Sequence, residues 1–257
     1  MKLKQMLLWQ YKASRSAFLT FYLIVAAVTI AGSILFAFNT QIADSGVSVV
    51  GVTINSDSPT MGNFNMATLP IAVIFLFIFG LANFGENIRV ALANGVSRRT
   101  HYISFLSFSL ISAVVTALLS ILFDAIPYFF GTSGASSQFS GSFIERTLFF
   151  TTLYLFVIAL GYFIAGAYYR MNNPARVIVS IGVPAGLIYF AVNVTNARSV
   201  LTSQPMSWEA IAAFFERFGQ WMTQTLNASL FFAIIAALFL FLGWLVTRRA
   251  PIKAPAV

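Results

Sequence analysis

The chain is 257 residues long, 59% hydrophobic and only 9% charged, against about 25% charge in an ordinary soluble domain. A soluble globular fold is excluded by that composition. The net charge of +8 does not point to nucleic acid, because the cations are sorted by loop and not gathered on one face. There is no cysteine, which removes disulfides, thiol catalysis, iron–sulfur clusters and cysteine-based zinc sites together.

Six stretches are apolar for about twenty residues each, the length that crosses a hydrocarbon core about 30 Å thick. They are 17–38, 67–84, 102–123, 147–169, 177–194 and 226–246. The expected fold is all-α, a polytopic membrane protein with six transmembrane helices forming one domain over 1–257. Twelve of the fifteen Lys and Arg fall before span 1, between spans 2 and 3, between spans 4 and 5, and after span 6. Only Arg146, Arg198 and Arg217 lie in the alternate loops. By the positive-inside rule both termini are expected in the cytoplasm of a multi-pass cell-membrane protein.

In chain order, residues 1–15 place Leu3, Met6, Leu7, Leu8 and Tyr11 on one arc of a helical wheel, with Lys2, Gln5 and Lys12 facing away. This describes a helix lying in the inner interface, or else a basic flank that sets orientation. Span 1 is longer than the 7–15-residue core of a signal peptide, and no Ala-x-Ala site follows it, so it is expected to be retained. In the first outer loop, Val47–Asn55 is β-branched and partly alternating, the pattern of a short strand or hairpin.

Between spans 2 and 3 the sequence reads GENIRVALANGVSRRT. Glu86 and Arg89 stand at i, i+3 on a short helix that should end at Asn94-Gly95, a helix-stop pair. Ser97 is then placed to cap span 3, with Arg98 and Arg99 beside it and the only histidine, His101, as a polar flank. Span 3 carries Ser109, Ser112, Thr116 and Ser120 within roughly 100° of one another, a small hydroxylated stripe. Such a stripe serves either close helix packing or a polar path. Gly161 and Ala165 notch span 4, and Gly182 and Gly186 flank Pro184 in span 5. After Pro205, Trp208, Ile211, Phe215, Phe218 and Met222 recur at helical spacing, with Glu209, Glu216 and Gln220 off the stripe. An outer interfacial or re-entrant helix before the last span is expected there.

With these features the chain resembles the ABC-2-type permease subunits of ABC transporters. That family has six spans preceded by an amphipathic connecting helix, and a coupling helix after span 2 that often ends in a Gly-x-Ser/Thr-Arg/Lys turn. Here the turn reads Gly95-Val96-Ser97-Arg98-Arg99. A short extracellular helical segment lies between spans 5 and 6, the place of Trp208–Met222. The acidic residue of the coupling region maps to Glu86. The resemblance implies a dimeric exporter of an amphiphilic or peptide-like substrate, docked on a separate cytoplasmic ATPase. The chain itself has no Gly-x-x-x-x-Gly-Lys-Ser/Thr loop, no assembled nucleophile and base, and no paired metal ligands. No enzymatic activity, cofactor or metal is therefore expected of it. Two alternatives stand beside this: the substrate-capturing six-span subunit of a vitamin-uptake transporter, and a non-transport assembly or sensor protein.

Overall fold

A computed structural model describes residues 3–44, 62–129, 142–172, 176–182, 185–186 and 216–248. Among the described residues all regular structure is helical. The long helices are α1 (Leu3–Asp44), α2 (Gly62–Ala93), α3 (Arg98–Phe129), α4 (Phe143–Arg170) and α5 (Thr225–Arg248). Four stretches are long and apolar enough to cross a membrane: Gln5–Ala31, Arg98–Phe123, Phe143–Arg170 and Thr225–Arg248. Within α2 the apolar run is Leu69–Phe84. The protein is membrane-embedded. Its outward apolar side chains, such as Leu19 at 68% and Leu23 at 70% exposure, face what in the bilayer is lipid.

The N-terminal segment differs from the expected interfacial helix. It is continuous with span 1 in one helix of 42 residues, about 60 Å long at 1.5 Å per residue. The reason lies in the chain itself: from Leu3 to Asp44 there is no proline and a single glycine, Gly32. The apolar arc of this segment is divided between two surroundings. Met6 is buried against Ala91 and Val96 with Trp9 packed alongside, whereas Leu8 and Tyr11 face outward. The expected helix of Glu86 and Arg89 is likewise not separate, since both belong to the last turns of α2. The Val47–Asn55 strand, most of 177–194, and Trp208, Ile211 and Phe215 lie outside the described residues.

α4 is the axis of the bundle, packed by α2, α3 and α5. Its capping box is complete: the Glu145 N–H donates to Ser142 Oγ, and the Ser142 N–H to the Glu145 carboxylate. Phe150, Tyr154, Ile158 and Tyr162 of α4 are buried. Lipid tails are as apolar as leucine, so helices associate here by close packing and hydrogen bonds more than by expelling water. The α2–α4 crossing shows this. A Cβ on Gly161 would stand 2.5 Å from the Phe77 carbonyl oxygen and 3.2 Å from Gly80 Cα. Backbone meets backbone, and only glycine fits.

The contacts also fix directions. α1 runs parallel to α3, with Met6 by Val96, Gln10 by Ser104, Phe18 by Phe108 and Tyr22 by Thr116. α2 runs parallel to α4, Gly80 meeting Gly161 and Phe84 meeting Tyr169. α3 is antiparallel to α4, through Ser120–Tyr154 and Phe105–Tyr162. α4 and α5 are parallel, through Phe149–Phe232, Phe156–Phe239 and Tyr162–Thr247. One end of the bundle thereby gathers the start of α1, the α2–α3 turn, and the C-termini of α4 and α5. It carries Lys12, Arg98, Arg99, Arg170, Arg176 and Arg248.

Candidate functional site

At that arginine-rich end the chain reverses between α2 and α3 in six residues. Gly95 has φ +70°, a conformation that side-chain-bearing residues rarely adopt. The Gly95 N–H donates to the Leu92 carbonyl at 3.0 Å, and the Val96 N–H reaches back to Ala91 at 2.9 Å. These are the two hydrogen bonds of a Schellman motif, and the apolar contact that accompanies it is the buried Ala91–Val96 pair. Asn94 adds a side-chain bond, its Nδ2 donating to the Val90 carbonyl at 2.8 Å. Ser97 then caps α3, accepting the Thr100 N–H at 3.1 Å, as its position before the span predicts.

Two tethers hold this turn. Val96 seats on Met6 and Trp9 of α1. Arg98 Nη1 donates to the Arg248 carbonyl at 2.9 Å, which satisfies an orphan carbonyl at the end of α5 and opposes the negative pole of that helix. Arg99 and Ser97 remain exposed. Glu86 and Arg89 lie one to two turns back along α2 and not in the turn itself. The turn is thus short, internally bonded and fastened to the first and last helices.

The α3 stripe lies inside the bundle. Ser109, Ser112 and Thr116 are buried and Ser120 is half-buried. Thr116 Oγ1 donates to the Ser112 carbonyl at 2.7 Å and also meets the Tyr22 hydroxyl of α1. Ser120 Oγ lies 2.7 Å from the Tyr154 hydroxyl of α4. The stripe therefore joins α3 to two neighbours, as interhelical hydroxyls do in lipid. Before α5, residues 216–222 are helical. Phe218 packs its ring on Trp221 at 5.9 Å and edge-on to Phe231 of α5 at 5.3 Å, while Met222 touches the main core.

Several contacts were not foreseen from the sequence. Gln10 and Ser104 pair across α1 and α3 at 2.8 Å, both buried. His101 is not a solvated flank but only 1% exposed. The Tyr102 hydroxyl donates to the Leu240 carbonyl at 2.6 Å, and Tyr162 meets Thr247 at 3.0 Å. The signal for the last was present: Tyr and Thr inside apolar spans need partners. Among the described residues no group of three His, Cys, Asp or Glu is placed to hold a metal. No family model, curated protein or solved structure matches the chain.

Proposed function

We propose that the chain is the membrane-spanning permease subunit of an ABC transporter, with six spans and both termini cytoplasmic. Two copies, or this chain and a similar partner, form the pathway, and each docks a cytoplasmic ATPase on the turn Asn94–Arg99. The substrate is amphiphilic or peptide-like and is exported. ATP-driven closure of the ATPases presses on the turns and rocks the two bundles between inward- and outward-open arrangements.

The observation that carries this reading is the α2–α3 turn itself. A loop that only joins two spans needs no double tether. This one is closed by its own hydrogen bonds, seated on α1 through Val96 and tied to the end of α5 through Arg98. Force applied at Ser97 and Arg99 would reach the first and last helices together. The six-span count draws support from direction: α4 and α5 are parallel neighbours, so a chain leaving α4 must recross before α5. Residues 177–194 are the apolar stretch for that return.

The test is Gly95→Val. A β-branched residue at positive φ is strongly disfavoured, by about 1–2 kcal/mol, enough to reshape the turn without unseating the spans. The expected outcome is normal membrane insertion with loss of ATPase co-purification and of coupled ATP hydrolysis in vesicles. Arg99→Lys should keep both, because exposed ion pairs contribute only about 0–1 kcal/mol. Full partner binding by Gly95→Val would reduce the turn to a connector.

A further inference from the structure

We propose that Gln10, His101 and Ser104 enclose a hydration site, in which one ordered water molecule bridges α1 to α3 at the arginine-rich end. Gln10 and His101 are each 1% exposed and Ser104 is 0% exposed. The Ser104 hydroxyl donates to Gln10 Oε1, so the carboxamide is oriented by its oxygen. Its Nε2, and both ring nitrogens of His101, are buried with no protein partner. His101 lies one turn before Ser104 on α3, with Cβ atoms about 5–6 Å apart, so imidazole and carboxamide border the same seam.

The chemistry of the guest follows from what these groups still need. A neutral imidazole presents one donor and one acceptor, and the carboxamide nitrogen presents donors only. The guest must therefore accept from an amide and from a ring N–H, and donate to the other ring nitrogen. Water does all of this, and buried waters in proteins make about three such bonds. An anion could only accept, and it would bury an unpaired charge. A cation would face the amide donors. The layers on either side supply no alternative: Met6, Ala91 and Val96 lie toward the turn, and Phe18 and Phe108 toward the membrane centre. The site is a polar layer between two dry ones, and it sets the register of α1 on α3.

His101 is the only histidine in the chain, so ¹⁵N-histidine labelling gives one imidazole without ambiguity. The experiment is nitrogen NMR of the full chain in lipid nanodiscs, with magnetisation transfer from water to the ring. The expected result is a neutral imidazole with both nitrogens hydrogen-bonded and a water–imidazole cross-peak. That cross-peak should be lost in Gln10→Leu and kept in Arg99→Lys. Absence of the cross-peak in the native protein, a direct bond from His101 to another protein group, or an unchanged cross-peak in Gln10→Leu would each overturn the proposal. If Gln10→Leu does not fold, the native spectrum decides alone. The outcome is independent of whether the chain transports anything.

Discussion

Substitution of Gly161 by alanine is the most direct probe of the bundle. The added methyl would lie 2.5 Å from the Phe77 carbonyl oxygen and 3.1 Å from the Leu81 nitrogen, where ordinary contact begins at 3.4 Å. All of these neighbours are backbone, so no rotamer change relieves the clash, and α2 must move off α4 by roughly 1 Å. A gap of that size forfeits about a quarter to a half of each dispersion contact along the interface. Overpacking of this kind costs about 1–3 kcal/mol, and the rigid surroundings put Gly161→Ala near the upper end. Alanine's better helix propensity, about 1 kcal/mol over glycine, offsets part, leaving a net loss of about 2 kcal/mol. Gly182 supplies the control, since a Cβ there meets nothing within 4 Å. Gly243 is intermediate: its Cβ would touch only the Tyr162 ring at 3.1 Å. Equilibrium unfolding in mixed micelles should rank Gly161→Ala well below Gly243→Ala, with Gly182→Ala neutral or slightly stabilised. Gly80→Ala strikes the Ile158 carbonyl in the same crossing, so the double variant should lose less than the sum of the two. Equal stability of Gly161→Ala and Gly182→Ala would refute the backbone-to-backbone contact.

Two further outcomes are expected. Because the native chain has no cysteine, Ser45→Cys, Ser137→Cys and Ser203→Cys should each react with an impermeant thiol reagent from outside the cell, and Ser97→Cys should not; the reverse pattern would overturn the cytoplasmic placement of the termini. Phe218→Asp should raise proteolysis just before Thr225, because it removes the ring that joins 216–222 to Phe231. Gln220→Ala, at an exposed position, should leave the digestion pattern unchanged, and equal digestion of both variants would argue against an ordered tie there.

What could be read from the sequence was whatever local chemistry decides. The apolar runs at 17–38, 67–84, 102–123, 147–169 and 226–246 all fall inside helices. The Asn94-Gly95 stop and the Ser97 cap were legible because each depends on one residue and its immediate backbone. The continuity of α1 was legible too, in the absence of any breaker, but the lysines near its start weighed toward an interfacial helix. The α4 capping box, Ser142 to Glu145, was written in the S-x-x-E spacing and passed over. What could not be read was every fact that depends on two distant segments. His101 beside two arginines looks like a solvated flank on its own helix, and it is buried only because α1 lies against that face. Arg98 looks topogenic until the end of α5 comes within hydrogen-bonding reach. Gly161 announced a notch but not that the bump would be the backbone of α2 at Gly80. In water, hydrophobic periodicity often tells which face of a helix is inward. In lipid both faces are apolar, so the inward face is marked instead by glycine and by hydroxyls that need partners. On α3 that rule does hold: Ser104, Ser109, Ser112 and Thr116 are all buried, while Leu106, Leu110, Val115 and Leu122 face outward.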